Sequence, residues 1–186
     1  MNDPKSPVRH ELTGPLDERI ERMMRLGGWS ETRQADIGPA LDYYGGHGLT
    51  LFASARRFFT SFYGLFRGCS VECGEYRDFY FELWPECDDG GYWDILAYMY
   101  EDQNRETPSD DFRAVREKAG EAVILAGCIG FYYPGDVWIG ESGALYVTHE
   151  YEDRVRVYDT VFQQLHDELL AHPPTALVRL SEEEAD

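Results

Sequence analysis

The residues best suited to chemistry in this chain are its four cysteines, its few histidines and its many carboxylates. Cys69-Ser70-Val71-Glu72-Cys73, with Cys87 and with His47 or His149 further off, supplies sulfur and nitrogen donors of the kind zinc takes. Tetrahedral zinc needs four such ligands, usually delivered as two tight pairs. Here one pair exists, at an x3 spacing, so the ordinary reading is reduced thiols in or near a core. A metal- or ligand-binding regulatory domain using Cys69, Cys73 and Cys87 is the alternative. Ser142 stands in Gly140-Glu141-Ser142-Gly143, which reads as a hairpin turn and not as the strand-to-helix elbow of a serine hydrolase. Gly45, Gly46 and Gly48 read as a loop, which matches neither a Walker loop nor a dinucleotide fingerprint. His166, between Leu165 and Asp167, reads as a partly exposed helix residue. With 35 Asp and Glu in 186 residues, almost any two carboxylates could be paired as acid and base, so their pairing selects nothing. The expectation is a protein with no catalytic set, no metal and no cofactor.

Charge is more selective. The formal net charge is −18, which excludes a nucleic-acid partner, because phosphate binding needs a basic footprint. It equally disfavours an anionic membrane leaflet. Residues 1–66 are balanced, whereas Arg67–Asp111 carries thirteen acids against three bases. These acids are interleaved with aromatics, among them Tyr76, Phe79, Phe81, Trp84, Tyr92 and Trp93. A disordered acidic spacer would hold far less apolar area. Ordered carboxylates steer and orient a basic protein at long range. Glu86, Asp88, Asp89, Tyr92, Trp93, Asp94, Glu101 and Asp102 are therefore the expected partner-binding residues; a merely solvated acidic loop is the other reading.

The elements that must carry these residues follow from periodicity and punctuation. Residues 1–12, with Pro4 and Pro7, read as a flexible arm, 13–174 as one globular domain, and 175–186 as an acidic tail. Thr13 is placed to cap a helix entered through Pro15 and bearing Leu16, Ile20, Met23 and Met24, ended by Gly27-Gly28. Trp29 follows as a buried anchor with nothing basic beside it. A second helix is expected from about Phe52 to Phe66. Phe79, Phe81 and Leu83 alternate as a half-buried strand ending at Pro85. Ser109 caps a helix stopped by Gly120, and Ala122–Ala126 reads as a strand. Val137–Gly140 and Ala144–Thr148 form a hairpin, a strand near Arg154–Tyr158 extends it, and Asp159 or Thr160 caps a last helix. The expected fold is α+β, a central, mainly antiparallel sheet flanked by helices. No apolar run reaches the roughly 18 residues of a membrane span, and the first residues lack a signal-peptide pattern, so the expected location is the cytoplasm.

Three segments carry a family resemblance. They are Gly28-Trp29-x-x-x-Arg33-x-x-Asp36, Phe58-Phe59-x-x-Phe62-Tyr63-Gly64-Leu65, and Glu121-x-x-x-Leu125 followed by Tyr133-Pro134-Gly135-Asp136-Val137-Trp138-Ile139-Gly140-Glu141-Ser142-Gly143-Ala144-Leu145-Tyr146. Together they resemble the third family of SUKH-superfamily bacterial immunity proteins over roughly residues 25–170. Tyr63 stands where that family usually has Gly, and residues 84–108 are a local elaboration. The resemblance implies a SUKH-like α+β domain that binds and neutralises a cognate polymorphic toxin, often a nuclease. It transfers no catalytic residue. Trp29, Arg33, Gly64, Gly140 and Gly143 correspond to positions that maintain the fold. A nuclease presents a basic substrate surface, so the charge argument and the resemblance converge on one kind of partner.

Overall fold

The computed structural model describes residues 8–73, 79–85, 99, 107–170 and 176–180. In chain order the described elements are β1 (Val8–Leu12), α1 (Leu16–Leu26), α2 (Gly38–Gly46), α3 (Ala53–Phe62), β2 (Cys69–Cys73), β3 (Phe79–Leu83), α4 (Asp110–Ala119), β4 (Val123–Phe131), β5 (Gly135–Gly140), β6 (Leu145–Thr148), β7 (Arg156–Tyr158), α5 (Val161–Leu170) and β8 (Ala176–Leu180). The class is α+β, as the element pattern predicts. A five-stranded antiparallel sheet, in the order β3-β4-β5-β6-β7, is flanked by helices. No described helix is long and apolar enough to cross a membrane.

The central sheet is covered on both faces. Ile139 and Trp138 are neighbours on β5 and point to opposite sides. Trp138 has no exposed surface, stacks on Phe112 of α4 at 5.8 Å between centroids, and donates its indole N–H to Thr148 Oγ1 at 3.2 Å. On the other side, Ile139 pairs with Leu145 and Leu145 with Tyr158, whose hydroxyl donates to Asp167 of α5 at 3.0 Å. Cover on both faces explains why β4 reads Val-Ile-Leu-Ala-Gly-Cys-Ile-Gly-Phe, almost without polar alternation. Gly127 sits at the register shift in β4, at φ +141°, where a Cβ would lie 2.1 Å from the carbonyl oxygen of Glu82 on β3. Only glycine lets the two backbones approach so closely.

A second, three-stranded antiparallel sheet, ordered β1-β8-β2, joins the two ends of the chain. It corrects both expected boundaries. Val8–Leu12, read as part of a flexible arm, is a strand with Leu12 fully buried, and Ala176–Leu180, read as the start of the tail, lies between β1 and β2. Pairing across more than 160 residues leaves no local mark in the sequence.

Three helix expectations also shift. The residue before α1 is Pro15, not Thr13; its carbonyl accepts from the Arg19 N–H at 3.0 Å, and no side chain caps the helix. The second expected helix stops at Phe62, because Tyr63 turns to an extended conformation and Gly64 follows at φ +74°. Helix α2 ends in the glycines expected to form a loop, and Tyr44 in it donates its hydroxyl to the buried carbonyl of Leu125. The caps of the later helices are as expected: Ser109 accepts from the Phe112 N–H at 3.2 Å, and Thr160 from the Gln163 N–H at 3.2 Å. Arg33 donates to the carbonyl oxygens of Ser61 and Tyr63, tying the loop after α1 to the end of α3.

Candidate functional site

The expected partner-binding residues Glu86, Asp88, Asp89, Tyr92, Trp93, Asp94, Glu101 and Asp102 lie outside the described residues, as does Cys87. What is described of the same acidic stretch divides between core and surface. Phe81, Leu83 and Trp84 are buried, and Trp84 stacks on Tyr43 with ring planes 7° apart. These aromatics hold the fold and offer no contact face. Asp110 is exposed at the start of α4, while burial and the neighbouring Asp110 raise the Asp111 carboxyl.

Cys69 and Cys73 occupy the two ends of β2. Four residues apart on one strand, their α-carbons are separated by roughly 13 Å. Two thiolates on one zinc, each at about 2.3 Å, lie within about 5 Å of one another. The pair therefore cannot share an ion, and burial pushes the Cys69 thiol up to about 11 and raises Cys73 as well. Cys87, the third cysteine of the regulatory reading, lies outside the described residues. No group of three or more metal-ligating side chains occurs among the described residues. Ser142 is spent on the turn, its hydroxyl accepting from the Ala144 N–H at 3.2 Å.

A groove between α1 and α5 brings together residues that sequence reasoning leaves apart. It consists of two cavities of about 410 and 340 Å³ that share Asp17 and Phe162. Helix α1 turns Ile20, Met23 and Met24 into the core, so Asp17 and Glu21, one turn apart, border that apolar stripe. The Gly27-Gly28 stop then folds the chain back, with the Trp29 N–H donating to the Met24 carbonyl at 2.9 Å. Trp29 is half-buried, and its ring meets Phe162 of α5 edge to face at 4.8 Å. Asp17, Glu21 and Glu31 surround this aromatic floor, and His166 Nε2 stands 3.6 Å from Asp17 at the far end.

Contrary to the expectation that nothing basic accompanies Trp29, the guanidinium of Arg25 lies over its ring at 5.6 Å. Arg25 donates from Nε and Nη2 to one oxygen of Glu21, at 3.0 and 2.7 Å, and stands 3.8 Å from Glu31. Arg25 is the i+4 partner of Glu21, so that ion pair is legible on the helix. The ring beneath it is not, because the fold-back at Gly27 has to be known first.

A second exposed feature is the tyrosine cluster on the β4–β5 turn and the loop after β6. Tyr132, Tyr133 and Tyr151 are exposed, with centroids 4.2 and 5.1 Å apart in series, and Tyr132 adopts φ +58°. Beneath the turn, His149 Nε2 meets Glu168 Oε1 at 3.1 Å with both side chains largely buried. The loop after β6 is thus anchored to α5. Compared with family models, curated proteins and solved structures, the chain matches none.

Proposed function

We propose that this chain is an immunity protein that binds a basic toxin, of which a nuclease is the natural kind, and neutralises it stoichiometrically. The observation that carries the reading is the net charge of −18 on a chain with a well-packed core. Carboxylates on an ordered surface can cover a phosphate-binding face by presenting charge where the substrate backbone would lie. The resemblance of residues 25–170 to SUKH immunity proteins supports the same partner, and the α+β architecture is the one it implies. Arg33 and Gly64 act in the fold in keeping with that resemblance. Binding without turnover, in the cytoplasm, belongs to the same proposal.

The reading predicts a neighbouring gene that encodes a basic C-terminal toxin domain, and it is tested with that domain. Co-expression should restore growth, and the two proteins should elute together. Reversing Asp88, Asp89 and Asp94 to Lys should weaken binding and flatten its salt dependence while leaving the melting temperature near wild type. Unchanged affinity would remove residues 86–102 from the interface. Failure of the wild-type chain to protect against the toxin would remove the function.

A further inference from the structure

We propose that the α1–α5 groove is a docking site for an arginine-bearing segment of a cationic partner protein, and that Arg25 occupies it internally in the free chain. The inference rests on the reading above for the identity of the partner, and on the groove alone for its chemistry. Three independent features converge. The floor is aromatic, with Trp29 and Phe162 in edge-to-face contact, so one ring face is a platform for a flat cation. Asp17, Glu21 and Glu31 surround that floor, and the side chains of Asp17 and Glu31 are 89% and 79% exposed, open to solvent on the side an incoming charge would take. A guanidinium is already seated there: Arg25 lies over Trp29 and pairs with Glu21.

That seating shows which cation the site fits. A guanidinium is planar, weakly hydrated and able to stack while its edges donate hydrogen bonds, whereas an ammonium is a compact, strongly hydrated point charge. Arg25 is itself half-exposed, with 47% of its side chain in solvent, so its hold is that of a surface ion pair and is readily exchanged. A partner arginine displacing it would gain the ring and Glu31, leaving Arg25 free to swing into solvent. The two cavities together offer length for a segment of chain, with Asp17 where they meet and His166 and Asp167 beyond it.

The experiment uses the full chain and, as probe, a capped peptide of alternating glycine and arginine, with its lysine counterpart as control. The indole N–H of Trp29 is followed by NMR during the titration. The arginine peptide should move that resonance and bind several-fold more tightly than the lysine peptide. Arg25→Ala, which removes the internal occupant, should tighten binding several-fold. The double reversal Asp17→Lys, Glu31→Lys should weaken it about tenfold or more with an unchanged melting temperature, since both side chains are exposed. A Trp29 signal that stays put at saturation, equal binding of the two peptides, or a reversed variant that binds as well as wild type would each overturn the proposal. The same variants separate it from the functional reading. A toxin neutralised equally well by the double reversal sinks the groove and leaves the immunity function, whereas peptide capture by a chain that protects against no toxin does the opposite.

Discussion

Trp138 has no exposed surface; its ring lies on Phe112 and its indole N–H reaches Thr148. Replacing it with Ala removes a large packed volume together with a buried hydrogen bond, and should cost about 3–5 kcal/mol in urea unfolding. Trp29, half-buried at the groove, should cost only about 1–2 kcal/mol on the same change. The sequence puts these two residues on a par, because the neighbours of a Trp along the chain do not say whether its far side meets core or solvent. Gly127 is the sharper case. Its Cβ would have to displace the backbone of Glu82, which no rotamer change can relieve, so Gly127→Ala should destabilise by about 3 kcal/mol or more, read from the same unfolding curves. A midpoint within error of wild type would mean that β3 and β4 can part without loss. The sequence shows a glycine in an apolar strand; that it marks a close approach to β3 depends on the pairing.

Among the elements, those specified by neighbours in sequence are the legible ones. Helix α4 has its Ser109 cap, two acids in its first turn, Arg116 and Lys118 in its last, and Gly120 at its end. Ser109→Ala should lower stability by about 1 kcal/mol, as a shift in the thermal midpoint. The β5–β6 hairpin is legible for the same reason. Strands β1, β2 and β8 are not, since each is completed only by a partner from the other end of the chain. Helix α2, with Gly38, Pro39, Gly45 and Gly46 in or bounding nine residues, contradicts its own propensity and is held by burial of Ala40 and Tyr44.

The loop after β6 carries a pH signature of its own. Hydrogen bonds from Arg156, reinforced by Arg154, hold the Glu152 carboxyl down from its ordinary 4.5 to about 2. A depressed carboxylate stabilises the fold above its unfolded value and loses that contribution as the pH falls towards the folded one. Arg156→Gln should therefore be less stable than wild type near neutral pH, with the difference shrinking between about pH 5 and pH 2. A difference that stayed constant across that range would place the effect of Arg156 in packing instead.

At the scale of the whole molecule, the 35 acids against 17 bases are what the account turns on. The sequence localises much of that charge to Arg67–Asp111, and the groove at α1 and α5 adds acidic surface that charge counting passes over, because residues 1–66 are balanced overall. Balance along the chain is not balance in space: Asp17 and Glu31 come to the surface together beside a ring, while Arg33 of the same balanced segment turns inward to the carbonyls of Ser61 and Tyr63.

Neutralisation by charge is tested most directly by calorimetric titration of the chain into a basic toxin domain from the neighbouring gene that the proposal predicts, at low and high salt, with toxin activity followed in parallel. An immunity protein that covers a basic face should bind one chain per toxin, inhibit completely at that ratio, and lose affinity roughly tenfold or more as salt rises from about 0.05 to 0.5 M. Absence of binding at low salt, or inhibition by substoichiometric amounts of the chain, would contradict that function.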